Sequence, residues 1–246
     1  MNQMGQKIVA MIALGTFALV IGLGELRQAQ AQEAKQPYPS MAPLDQYLMD
    51  RSTEIALARS AAPPSVSNDA TVMVFGRHGY ETAVEGKNGF VCLVERAWMN
   101  PFEGRFAAEF WNPKNRGPVC YNPAAARTVM PITLLRTKFA LAGQSKDEIH
   151  ESMKAAVEKK ELPESEPGAM AYMLSKQGHL NDRAGHWLPH LMFYVPLKDA
   201  KTWGAGAPDS PVLVNPHFNG APEPVTEFMV PVSEWSDGTP ADDHAH

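Results

Sequence analysis

The spacing of apolar residues changes character several times along this chain, and each change predicts an element. Lys7 precedes an apolar run, Ile8–Leu23, and polar residues then lead to Ala29-Gln30-Ala31. A positive residue, an apolar stretch and small residues at alternate positions make a secretory signal over residues 1–31, cut after Ala31. The competing reading is an uncleaved N-terminal anchor, because the run approaches the roughly 17–25 residues that span a bilayer. Gly15, Gly22 and Gly24 weaken it as a helix, which favours the cleaved signal. Residues 32–43 are polar and proline-bearing and read as a flexible leader.

From Leu44 to Ala61 the apolar residues Leu44, Tyr47, Leu48, Ile55 and Leu57 recur at helical spacing, until Ala62-Pro63-Pro64 stops them. Thr71–Phe75 is a β-rich run ending at Gly76. Tyr80–Glu85 alternates apolar and polar, Gly86-Lys87-Asn88-Gly89 follows, and Phe90–Val94 is apolar throughout. Asn88-Gly89 between two such runs predicts a tight hairpin, since both residue types tolerate positive φ. Its second arm, apolar on both faces, predicts a central strand.

Residues 98–122 read as a long structured loop rich in aromatics, among them Trp98, Phe106 and Trp111. An exposed aromatic patch would suit a sugar, lipid or protein partner, whereas a satellite core beneath the loop is the ordinary outcome. Asn122-Pro123 predicts a helix start with Asn122 as N-cap, and Pro131 splits or kinks that helix. Ser145 and Glu148 form a capping box, followed by an apolar face of Ile149, Met153, Ala156 and Val157. Strands return at 169–174, 190–195, 211–215 and 225–232, and in the second of these runs His190, Met192 and Tyr194 share one face. Residues 236–246 read as a disordered acidic tail. Strands, helices and strands again predict an α+β fold: one domain over 44–235, a mostly antiparallel sheet, an N-terminal helix and a central helical pair.

Composition narrows the function classes. The formal net charge is −5 with no Lys/Arg run, which argues against nucleic acid and anionic membrane surfaces as partners. No segment after the signal is long and apolar enough to span a membrane. The two cysteines, Cys92 and Cys120, are expected to pair in an oxidising periplasmic or extracellular space. No P-loop, G-x-S-x-G, dinucleotide G-x-G-x-x-G, C-x-x-C-H or EF-hand motif occurs, so the common nucleotide, hydrolase, haem and calcium readings lack support.

Three groups of residues are chemically suggestive. His186, His190 and His217, with Asp182, offer the imidazole and carboxylate ligands of a divalent metal site. Pro189 interrupts a shared helix face for His186 and His190, and Trp187 stands where a zincin motif needs glutamate. Without metal, His186 with Asp182 or Glu95 would supply acid–base catalysis of a hydrolase type. Arg77, His78, Arg96 and Arg183 lie next to strand ends and would grip an anionic ligand if those ends met. Methionine and histidine together are also conceivable copper ligands, core filling being the default for methionine. The leading expectation is an exported, non-catalytic protein with no obligatory cofactor, binding a small molecule or an envelope partner. The alternative is the His/Asp hydrolase around His186.

Overall fold

The computed structural model describes Pro37–Ala241, apart from Arg105, Ala184, Trp187 and residues 197–199 and 215–220. The expected signal, the first part of the expected leader, His217 and residues 242–246 therefore lie outside the described residues. The fold is α+β and mostly antiparallel, as the pattern predicts. Eight strands form one sheet: β1 (Thr71–Gly76), β2 (Gly79–Val84), β3 (Val91–Glu95), β4 (Gly117–Tyr121), β5 (Met170–Met173), β6 (His190–Pro196), β7 (Leu213–Val214) and β8 (Val225–Pro231). Their order is β2-β1-β3-β4-β5-β6-β8-β7, and among the described residues only β1 and β3 pair in parallel.

Helix α1 (Arg51–Arg59) is capped by Asp50, which accepts from the Thr53 amide. Leu57 and Ala58 of α1 bury against Val72, Cys92, Val94 and Cys120 on one face of the sheet. On the other face Phe75, Leu93, Val119, Tyr121 and Ala171 meet α3 (Pro123–Thr128), α4 (Met130–Leu141) and α5 (Lys146–Glu158). Side chains alternate between faces along a strand, so β3 and β4, covered on both sides, are apolar almost throughout. The short α2 (Pro64–Ser67) begins on Pro64 after the proline stop.

Several local signals act as expected. Asn122 accepts from the Ala125 amide with Pro123 opening α3, and Pro131 opens α4 after the break at Val129. Ser145 and Glu148 make both halves of the capping box. Cys92 and Cys120 lie directly opposite each other in the β3–β4 ladder and form a fully buried disulfide.

Other expectations need correction. The N-terminal helical pattern does not run from Leu44: a 3-10 turn over Leu44–Gln46 precedes α1, which starts only after the Asp50 cap. The hairpin forms one loop earlier than predicted, between β1 and β2. Its turn is Arg77-His78, and Gly79 at φ +111° supplies the conformation that side-chain-bearing residues avoid. Residues 85–90 instead carry the chain past the start of β1 to β3. There the Asn88 side chain donates to Val66 O and accepts from the Phe90 amide, so it braces the crossing. Gly86 crosses so close that a Cβ would stand 2.1 Å from the Thr71 nitrogen.

The long aromatic loop contains an unpredicted strand, β4. Pro118 has no N–H to donate, yet β4 pairs with β5 only from Cys120, so it leaves no gap in that ladder. Trp98 and Trp111 are buried in the main core and do not form an exposed patch. The leader is anchored from Tyr38 onward, with Tyr38, Met41 and Ala42 packed on that core. Ser236–Ala241, assigned to a disordered tail, is ordered: Trp235 N donates to Thr239 O, Ser236 N to Leu174 O, and Lys176 pairs with Asp237 at 2.5 Å.

Candidate functional site

A cavity of about 120 Å³ opens between the sheet and the loops that follow β3 and β5. Its floor is the face of β5, β6 and β8 that carries Met173, His190, Met192, Tyr194, Glu227 and Met229. Period-two alternation places His190, Met192 and Tyr194 together, all buried, while Leu191 and Phe193 point to the opposite face. Glu95 enters from the end of β3 beside Gly117, and Met99, Asn100, Pro101 and Phe106 form the loop wall.

Two buried ion pairs hold that wall in place. Arg136 on α4 bonds Glu223 at 2.6 Å and donates to the carbonyls of Trp98, Met99 and Asn100. Arg96 bonds Glu54 of α1 at 2.8 Å and donates to Tyr47 O and Val94 O, with its guanidinium over the Phe75 ring. Arg96 borders the cavity, but its donors are engaged with Tyr47, Val94 and Glu54. It is a structural brace, which answers its nomination as an anion ligand.

The polar groups around the cavity include two carboxyl groups, those of Glu95 and Glu227. Tyr121 donates to Glu95 Oε1 at 2.6 Å and Thr133 donates to the same oxygen at 3.0 Å. Burial pushes the Glu95 carboxyl above the ordinary range, against the opposing pull of those two hydroxyls and of Arg136. Glu227 is buried on the same lining. The Tyr194 phenol is pushed well up by burial first, then by the charges of Glu227 and Glu95. Asn115, 4% exposed, also lines the cavity, and its Oδ1 is buried without a hydrogen-bond partner among the described residues. His190 Nδ1 lies 2.7 Å from Leu188 O. A carbonyl can only accept, so Nδ1 carries the proton; burial lowers the imidazole pKa and favours the neutral ring.

The histidine-rich segment 178–190 contributes Leu180, Asn181 and His190 to the cavity lining. Arg116 and His179 exchange backbone hydrogen bonds, and Asn181 and Gly185 close a tight turn that places Leu180 and Asn181 on the lining. Asp182 lies on the exposed side of that turn, where it accepts from Tyr38, Asn112 and Lys114 and meets His179 at 3.3 Å. The Tyr38 hydrogen bond, more than any other contact, draws the Asp182 carboxyl down to about 2. His186 is exposed, with its ring edge-on to Trp235.

Of the sequence candidates, the structure therefore brings together Glu95 and His190, with Arg96 behind the wall. Arg77 and His78 are exposed at the β1–β2 hairpin tip, Arg77 pairing with Asp45, and Arg183 is exposed on the 181–185 turn. None of these three lines the cavity that holds Glu95 and His190. Among the described residues no three of His, Cys, Asp and Glu are placed to hold a metal ion, and His217 lies outside them. Sequence reasoning missed Tyr121, Thr133, Tyr194, Glu227 and Asn115 as site residues; only the shared strand face of His190, Met192 and Tyr194 pointed toward Tyr194. No protein family model, curated protein or solved structure matches the chain.

Proposed function

We propose that this is an exported, non-catalytic protein that binds a small positively charged or hydrogen-bond-donating ligand in the cavity beside Glu95. The supporting observation is a lining that carries the Glu95 and Glu227 carboxyl groups and the unpartnered Asn115 Oδ1, while the donors of Arg96 are engaged elsewhere. Removing a carboxylate from water is costly, and a cation beside it offsets that cost. The size suits a small ligand or ion, since about 120 Å³ is below the several hundred Å³ typical of drug-sized pockets. The buried disulfide fits an oxidising compartment, and the Lys7–Ala31 pattern supports export to the periplasm or beyond.

The test is thermal unfolding of the purified protein with methylammonium, ethylammonium or guanidinium chloride, compared with equal sodium chloride and sodium acetate. A ligand that binds only the folded state raises Tm with concentration. The expected result is a rise with at least one cation, absent with acetate and lost in Glu95→Gln. No rise with any cation, or a rise unchanged in Glu95→Gln, would overturn the reading.

A further inference from the structure

We infer that the floor of this cavity is a soft-metal site, in which His190, Met192, Met173 and Met229 bind a monovalent copper ion. The inference rests on the proposed cation-binding role and names the class of cation. Met173 stands directly opposite His190 in the β5–β6 ladder, and Met192 directly opposite Met229 in the β6–β8 ladder. His190 and Met192 are two residues apart on the same face of β6.

Strand geometry fixes the scale of this patch. Two residues along a strand span about 6.6 Å, and opposed residues bring their Cβ atoms to about 4.5–5.5 Å. A point above the middle of the His190–Met192 segment is then about 5–7 Å from all four backbones, within reach of a thioether or imidazole plus one metal bond. All four side chains line the one cavity, and His190, Met192 and Met229 are nearly fully buried.

Donor chemistry selects the ion. Thioethers are soft ligands that favour Cu(I), whereas zinc prefers thiolate, imidazole and carboxylate. His190 donates Nδ1–H to Leu188 O, which fixes Nε2 as the lone-pair nitrogen and matches the backbone support common behind ligating histidines. Methionines more often simply fill cores, but here they border open volume on the same face as an imidazole and two carboxylates.

The experiment is anaerobic titration of the purified protein with Cu(I) against a chromophoric Cu(I) chelator, with Ag(I) as a redox-inert check. One ion per chain should be retained, and X-ray absorption should report sulfur and nitrogen ligands. Met192→Leu/Met229→Leu keeps volume and apolarity, and should weaken binding at least tenfold. Met49→Leu, packed in the α1 cluster, should leave binding unchanged. If the double variant does not fold, Met173→Leu alone provides the same comparison. Failure to retain Cu(I), or equal affinity in the methionine variants, would overturn the site. If ammonium-type cations still raise Tm in that case, the cation-binding reading survives without the metal; if they do not, both fall.

Discussion

The Tyr121 hydroxyl donates to Glu95 Oε1 across 2.6 Å, joining the middle of the sheet to the acidic end of the cavity. Tyr121 stands on β4 and Glu95 on β3, and Thr133 of α4 completes the contact. Three elements thus converge on one carboxyl group whose pKa burial raises from its ordinary value near 4.5. The folded state holds that proton more tightly than the unfolded chain. Its contribution to stability is therefore complete below about pH 4.5 and is lost as pH rises through the higher folded pKa. Urea unfolding of wild type and Glu95→Gln should show a stability difference, wild type minus variant, that shrinks with rising pH over that window. A difference that grows with pH would contradict the assignment. A bound cation should reverse the preference, so ligand affinity should rise with pH as Glu95 ionises.

What the sequence made legible were the features decided within a few residues. The Asn122 cap, the break at Pro131, the Ser145–Glu148 box and the shared face of His190, Met192 and Tyr194 all follow from local geometry. Partner choice was not legible. Asn88-Gly89 forms a bend rather than the expected hairpin turn, and β2 pairs with β1 through the shorter closure of Gly76-Arg77-His78-Gly79. The site was half-legible for the same reason. Glu95 and His190 drew notice as titratable groups near strand ends, whereas Tyr121, Thr133 and Glu227 gain meaning only once β3, β4, β6, β8 and α4 are placed side by side.

Gly86 should be the least replaceable glycine of the first half of the sheet. A methyl group there would lie 2.1 Å from Thr71 N and 2.4 Å from Ala70 C, both backbone atoms that cannot swing aside. Gly86→Ala is expected to cost about 3 kcal/mol or more, at or beyond the usual range for overpacking. Gly76→Ala is the control: its nearest neighbour would be Gly79 O at an ordinary 3.6 Å, and its φ is not positive. It should change stability by about 1 kcal/mol or less. Urea midpoints of the two variants decide the matter, and similar values for both would refute the close crossing.

The disulfide should contribute chiefly through the unfolded chain. Cys92 and Cys120 are 28 positions apart, and closing a loop of that size restricts the unfolded ensemble by about 3–4 kcal/mol on the chain-entropy account. Cys92→Ala/Cys120→Ala should lose stability on that scale yet keep its secondary structure, because the β3–β4 ladder has five residue pairs of its own. Calorimetry under non-reducing conditions measures the loss. Wild type with reductant should resemble the variant, and a variant as stable as oxidised wild type would remove the bond's structural role.

Arginine substitutions separate structural cations from surface ones. Glu54 and Arg96 are almost fully buried, and Glu54 Oε1 also accepts from the Phe75 amide, so removing the carboxylate leaves both a guanidinium and an amide without that partner. Breaking a buried pair in this way typically costs about 3–5 kcal/mol, and Glu54→Ala should fall in that range. Arg77 pairs with Asp45 at 2.5 Å, but both side chains are more than half exposed, where such pairs contribute little. Arg77→Ala and Arg183→Ala should therefore shift stability by about 0.5 kcal/mol or less. They should also leave cation binding unaltered, since neither residue lines the cavity. Arg96→Lys is the sharper probe, because an ammonium cannot reproduce the fork that reaches Glu54, Tyr47 O and Val94 O together. Its instability should track that of Glu54→Ala. Full stability with weakened ligand binding would instead return Arg96 to the role of a ligand-contacting residue.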